Sequence, residues 1–258
     1  MDYKEINYLL ADGLAVVTLN RPEKMNALTS QMRAEITHAM RRAGAEARAV
    51  VLTGEGKAFC SGQDLSDANS AGELDLERTL RDEYTPMLEA VYDCPVPTIS
   101  AVNGPVAGAG ANLALAADVV IATESAYFMQ AFSRIGLMPD AGGTWFLPRQ
   151  MGLAKAMGAA LFADKISAKQ ASDWGMIWEA VADEEFAETW RQRATYLAKG
   201  PTKAFGAIKQ SIRASYGNSL PEQLSVEAHL QGECGKSRDF LEGVTAFMEK
   251  RPAKFEGR

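Results

Sequence analysis

Two short apolar runs, Ile6–Leu10 and Leu14–Leu19, flank the turn Ala11-Asp12-Gly13 and predict a β-hairpin at the start of the chain. After the segment NRPEKMNAL, Thr29 stands where a helix cap is expected, and Met32, Ile36, Ala39, Met40 and Ala43 recur at helical spacing as far as Gly44. One face of that helix is therefore expected to be buried. Ala49–Thr53 is apolar without alternation, the pattern of a strand covered on both faces, and it leads into the glycine-rich loop GEGKAFCSGQDL. The segment Glu73 to Asp93 has a helical pattern but holds Pro86, which predicts a kink or two helices.

The order strand, loop, helix then recurs. Pro97–Val102 predicts a second buried strand, followed by NGPVAGAGANLALAAD, a glycine- and alanine-rich turn feeding an apolar helix. Val119–Ala122 and Tyr127–Met129 predict short strands, and FSRIGLMPDAGGTWFLPRQMG a long loop that enters a helix near Gly142. Beyond Gly152 the chain reads as mostly helical, and Ser167 with Gln170 and Ser219 with Glu222 match the capping-box pattern, marking helix starts before Ala171 and Leu224. The expectation is an α/β protein with a core over residues 1–200 and a C-terminal helical region over residues 201–258.

Composition narrows the function. In a chain of 258 residues, Lys plus Arg is 27 against 33 Asp plus Glu, a net charge of −6, with no basic stripe to track a polyphosphate backbone. A nucleic-acid partner is not expected. Cys60, Cys94 and Cys234 stand alone, and His38 and His229 complete no zinc pattern, so a reduced, metal-free cytoplasmic protein is expected. The first residues (MDYKEINYLL) are acidic and broken by polar groups, and no apolar run approaches the roughly 18 residues that span a bilayer. Neither a membrane partner nor an export signal is expected.

Three loops follow apolar strands and carry small residues: FCSGQD, PVAGAGAN and MPDAGGTW. Small residues let main-chain N–H groups approach a ligand, and equally serve as plain packing devices. None is a nucleotide fingerprint, for GPVAGAGAN lacks the Lys-Ser/Thr of a P-loop. A Ser–His–Asp engine is disfavoured because both histidines lie far in sequence from these loops. Asp140 sits among Ile135, Leu137, Met138, Pro139, Trp145 and Phe146, where desolvation would raise its pKa toward that of a useful base. On local sequence alone it is equally a cap for the helix near Gly142.

The set LNRPEKMNAL, KAFCSGQDL, AVNGPVAGAGANLALAAD, IGLMPDAGGTW with FLPRQMG, and AFMEKRPAKF, in that order, resembles the crotonase superfamily of enoyl-CoA hydratases and isomerases from end to end. The resemblance implies a spiral of ββα units with a C-terminal helical region used in trimer packing, a homotrimer or dimer of trimers, an acyl-CoA substrate, and no cofactor beyond that CoA moiety. It places the two main-chain N–H groups that hold the thioester oxygen on Gln63 and Ala109. It places CoA and substrate contacts on Lys24, Ala27, Ser61, Gly62, Asp64 and Leu65, with Phe247 and Lys250 near the adenine end, from the same or a neighbouring subunit. Asn112, Phe132 and Trp145 are candidates for the acyl pocket, and Phe132, Trp145, Tyr127 and Phe128 would make it flat, or are simply core.

Departures from the family pattern discriminate among its reactions. Hydratases of the superfamily use two glutamates, whereas the corresponding positions here are Asn112 and Phe132, neither of which exchanges a proton. Asp140 stands where isomerases of the superfamily often carry their base. The stretches AFSRIGLMPDAGGTWFLPR and DWGMIWEAV look most like the ring-1,2-epoxyphenylacetyl-CoA isomerases of phenylacetate breakdown. The expected function is thus an acyl-CoA isomerase with a single Asp base, set against an enoyl-CoA hydratase. A haloaryl-CoA dehalogenase also carries an aspartate at this position, but with a tryptophan where Phe132 stands and a histidine that is missing. A non-catalytic scaffold or RNA-binding relative is weighed against by the charge of −6.

Overall fold

Asp12 and Gly13 both take left-handed backbone angles, with φ +52° and +78°, so Ala11 faces Leu14 across a two-residue turn. That turn pairs β1 (Ile6–Ala11) antiparallel with β2 (Leu14–Leu19). The structure, a computed structural model, describes residues 2–65 and 75–258. Thr29 Oγ1 accepts the Met32 N–H at 3.0 Å and starts α1 (Ser30–Glu46), which buries Met32, Ile36, Ala39, Met40 and Ala43 as their spacing predicts. Gly44 does not end it. A Cβ there would lie 2.8 Å from Pro95 Cδ, so this glycine serves close packing rather than termination.

β3 (Ala49–Gly54) and β4 (Thr98–Val102) form the centre of a six-stranded sheet that continues through β6 (Val119–Thr123) to β9 (Glu179–Val181), in the order β1-β2-β3-β4-β6-β9, parallel except for the hairpin. Between them the chain forms α2 (Leu76–Thr79), a π-helical turn (Leu80–Tyr84) and α3 (Thr85–Tyr92). Pro86 has no N–H to continue the ladder. One step earlier the Thr85 N–H turns to the Leu80 carbonyl, which its hydroxyl also reaches at 3.0 Å. The proline break expected of this segment is thus a π-turn, and Glu73, the expected start, lies outside the described residues.

After β4 come β5 (Val106–Ala107) and α4 (Ala109–Leu115); after β6 (Val119–Thr123) come β7 (Tyr127–Met129), a 3-10 turn (Ala131–Ile135), α5 (Gly143–Met151) and α6 (Leu153–Phe162). Each pass gives one strand to the large sheet and a short one to a second layer, where β5 pairs β7 and β7 pairs β8 (Ile166–Ser167). Bridges between Cys60 and Val106 and between Leu28 and Gln63 extend that layer. This is the expected spiral of ββα units. β8 and β9 (Glu179–Val181) escaped the pattern because two or three residues carry no periodicity.

α7 (Ala168–Asp173) begins under the Ser167 cap, and the Ser219 N–H donates to Glu222 Oε2 at 2.7 Å at the start of α10 (Leu220–Gly235), as the capping patterns predict. α8 (Asp183–Lys199) lays Phe186, Trp190 and Ala194 on Val51, Ile99, Ala101 and Ile121, while α1 and its neighbours cover the opposite face. Both faces of β3 and β4 are therefore dry, which explains the unbroken apolar run Ala49–Leu52 and the complete burial of β4, including its Thr98 and Ser100. α9 (Thr202–Ala214) is tied down by Lys209 and Arg213, each 2.8 Å from Asp118. α10 and α11 (Arg238–Met248) leave Leu224, Phe240, Val244, Phe247 and Met248 exposed. Among the described residues no helix is long and apolar enough to cross a membrane.

Candidate active site

The segment at Lys24–Leu28 and the loop at Ser61–Leu65, expected together from sequence, run side by side. The Ser61 N–H donates to the Met25 carbonyl at 3.0 Å, the Leu28 N–H to Gly62 at 2.8 Å, and the Asp64 N–H back to Leu28 at 3.0 Å. Asn26 makes the approach possible. It is fully buried at φ +55°, its Nδ2 donates to Glu55 and Ala58 carbonyls at 3.0 and 2.8 Å, and its Oδ1 accepts the Arg21 N–H at 2.8 Å. In the sequence the signal for this asparagine is weak: Asn favours tight left-handed turns, but NRPEKMNAL carries no glycine to mark one. Lys24 and Leu65 are exposed, Ala27 is buried, and Ser61 rests on the Lys24 carbonyl. The Asp64 carboxylate is 2.8 Å from the Arg21 guanidinium, an ion pair that braces the two segments.

Ala107 donates to the Cys60 carbonyl at 3.1 Å and Gly108 to Met129 at 2.9 Å, which brings the start of α4 against the 61–63 loop. Gly62 adopts φ +98°, and a Cβ on it would lie 3.0 Å from Ala107 O and 3.6 Å from the Ala109 nitrogen. Glycine is what allows Gln63 and Ala109 to neighbour one another. Among the described residues neither of their N–H groups donates to a main-chain carbonyl outside the regular helix and strand ladders. The Gln63 side chain is pinned from behind. Its Oε1 accepts from Arg33 Nη1 at 3.0 Å and from the Tyr84 hydroxyl, while Arg33, itself buried, pairs with Glu83 at 2.6 Å. Arg33 sits between apolar helix positions and reads as a surface charge, so no sequence signal reveals it.

Asp140 faces the same region. Burial pushes the Tyr84 hydroxyl above its ordinary range against the pull of Arg33, and the charges of Cys60 and Asp140 add to the rise. Burial also pushes the Asp140 carboxyl from 3.8 up to about 6, only partly offset by a hydrogen bond from its own N–H. The capping alternative is not what is found: the cap of α5 is Gly142, with no side-chain cap bond. Asp140 instead opens a tight turn in which the Gly143 N–H returns to its carbonyl at 2.8 Å, through Ala141 at φ +48° and Gly142 at φ +82°.

Asn112 is fully buried and donates through Nδ2 to the Asp140 carbonyl at 2.7 Å. The Phe132 ring lies over Gly108, with Cζ 3.8 Å from where a Cβ there would stand. Trp145 goes elsewhere. It packs edge-on against Tyr92 and Phe146, carries Arg149 on its face at 4.2 Å, and lines a cavity of about 370 Å³ beneath α9 that touches none of Gln63, Ala109, Phe132 or Asp140. Phe128 is core, and Tyr127 lies under Lys165. Phe247 is 84% exposed, and among the described residues no hydrogen bond or ion pair joins it or Lys250 to the 24–28 or 61–65 segments.

Residues 10–258 match the model of the enoyl-CoA hydratase/isomerase family. The chain belongs to the enoyl-CoA hydratase/isomerase family. It is 62% identical over its full length and that of its relative to a probable enoyl-CoA hydratase of Rhodobacter capsulatus. It is 45% identical to the 1,2-epoxyphenylacetyl-CoA isomerase of Escherichia coli, over 95% of this chain and 96% of the relative. The crystal structure of an enoyl-CoA hydratase from Bacillus anthracis superposes with a TM-score of 0.91 at 30% identity, covering 99% of this chain and 100% of that one. At the site Asn112 and Phe132 carry no titratable group, and Asp140 supplies a carboxyl of raised pKa.

Proposed function

We propose that this chain isomerises an acyl-CoA, shifting a double bond or rearranging a ring epoxide of the 1,2-epoxyphenylacetyl-CoA kind, through an enolate held by the N–H groups of Gln63 and Ala109. A thioester carbonyl gripped by two fixed donors turns its adjacent C–H bonds acidic, because the charge left on proton removal resides on the held oxygen. One such donor contributes about 3–4 kcal/mol. Asp140 takes the proton from one carbon and returns it to another, assistance of the order of 10²–10⁴ in rate. The observation that carries the reading is the Asp140 carboxyl, raised to about 6 by burial while the amide at position 112 is engaged with its carbonyl. A carboxyl titrating near 6 is a stronger base than an ordinary aspartate, yet still largely ionised at neutral pH.

In this reading Lys24, Ala27, Ser61, Gly62, Asp64 and Leu65 form the entrance for CoA. The exposed apolar side chains of α11 pack against further copies of the chain in a trimer, and Phe247 and Lys250 lie near the adenine end of CoA in the same or a neighbouring subunit. The relative in Rhodobacter capsulatus supports a second reading, water addition to a 2-enoyl-CoA. A panel of 3-enoyl, 2-enoyl and ring-epoxide phenylacetyl thioesters, analysed by mass spectrometry, separates them. A rearranged product of unchanged mass is expected; gain of one water as the main product overturns the isomerase reading.

A further inference from the structure

Gln130 follows β7 directly and is 1% exposed, yet it is not an apolar residue. Its Nε2 donates to Asn112 Oδ1 at 2.9 Å, and Asn112 Nδ2 donates to the Asp140 carbonyl at 2.7 Å. The direction of this relay is fixed by chemistry. A carbonyl oxygen only accepts, so the Asn112 atom facing Asp140 is the nitrogen, and the atom left for Gln130 is an oxygen that needs a donor. Without that donor the amide has no reason to keep its NH₂ on Asp140. The turn it grips needs an external hold, for Ala141 sits in the left-handed region that disfavours a side chain. The other end of Gln130 shows the cost of the arrangement: among the described residues its Oε1 is buried with no hydrogen-bond partner. Packing alone would be served better there by an apolar side chain of the same length.

We propose that Gln130 is a positioning residue for Asp140, acting through the Asn112 amide to hold the turn that presents the carboxyl to substrate. The inference rests on the proposed role of Asp140 as base. Among the described residues Tyr84 is the titratable group that senses that carboxyl; burial pushes its hydroxyl up and leaves it neutral at working pH, as it does the Cys60 thiol near Tyr84, and the Arg33 charge on Tyr84 is matched by Glu83. None of these competes with the carboxyl for the proton in the neutral range. Loosening the turn admits water to Asp140, so its pKa falls toward the ordinary value and its placement blurs.

The test replaces the side chain with one of similar length that cannot donate, Gln130→Met, and assays 3-hexenoyl-CoA isomerisation across pH, with phenylacetyl-CoA, which has no double bond to shift, as the binding probe. The expected result is a fall in kcat of ten- to a hundredfold with phenylacetyl-CoA affinity within twofold of wild type, and an acidic limb of kcat/KM displaced about one pH unit downward. Wild-type kcat and an unmoved limb overturn the proposal whatever happens to Tm, since a purely structural role lowers stability and leaves both readings alone. Should Gln130→Met not fold, the same readings are taken on Gln130→Glu at pH 8, where an ionised carboxylate cannot donate to Asn112: loss of kcat with binding retained supports the proposal, and wild-type kcat overturns it. Asp140→Asn is measured alongside. Wild-type kcat in that variant overturns the base assignment and this inference with it, whereas loss of kcat there beside an unaffected Gln130→Met overturns the inference alone.

Discussion

Replacing Asp140 with asparagine should cost activity and add stability, with the two effects parting company as pH changes. The folded protein holds the carboxyl at about 6 against an ordinary 3.8, so at neutral pH folding forces an ionised group into a poorly hydrated place. A shift of that size corresponds to about 3 kcal/mol for a fully dry group; the carboxyl is only part-buried, and the water it keeps reduces this to about 1–2 kcal/mol. Because the folded state binds the proton more tightly than the unfolded chain, the penalty is absent below about pH 4. It grows as pH rises through about 6. Asp140→Asn removes the charge but keeps the shape, so urea unfolding should show a gain of about 1–2 kcal/mol at pH 8 that disappears at pH 4, while kcat falls by the order of 10²–10⁴. Equal stability change at both pH values, or destabilisation at pH 8, would refute the claim that burial perturbs this carboxyl.

Three further outcomes are expected. Asn26→Ala removes three main-chain hydrogen bonds from a buried left-handed turn and should destabilise by about 3–5 kcal/mol in urea titrations, with acyl-CoA binding weakened because the 24–28 and 61–65 segments lose their brace. Gly110→Ala would drive a Cβ to 2.5 Å from Cys60 O and 2.6 Å from its Sγ, so α4 must move off the 60–63 segment; turnover should fall at least tenfold, read as kcat on the same thioester. Asn112→Glu should not create a hydratase, because Phe132 still cannot handle the second proton and the grip on the Asp140 carbonyl is lost; mass spectrometry of crotonyl-CoA incubations should show no robust gain of water.

The central strands, α1 and the repeated strand-loop-helix passes were legible in the sequence because burial on two faces or one leaves a periodicity of its own. The short strands β8 and β9 were not, since their pairing partners, β7 and β6, lie tens of residues away and supply the register. At the site, glycines and the family motifs led to Gln63, Ala109 and Asp140. The residues holding them in place stayed hidden: Arg33 looks like a solvated helix charge and Gln130 like one polar residue among many, because their importance lies in what tertiary packing brings within 3 Å. Trp145 was left open between acyl pocket and core. Close to Asp140 in sequence, it turns, one helical step later, into the cavity under α9.

Enolate formation by Asp140 under the Gln63 and Ala109 amides is the central proposed step, and hydrogen exchange measures it without needing the true substrate. Phenylacetyl-CoA incubated with the protein in D₂O should take up deuterium at the carbon next to the thioester, at a rate that rises through pH about 6 and is lost in Asp140→Asn. Exchange no faster than in buffer, or undiminished in that variant, would contradict the mechanism.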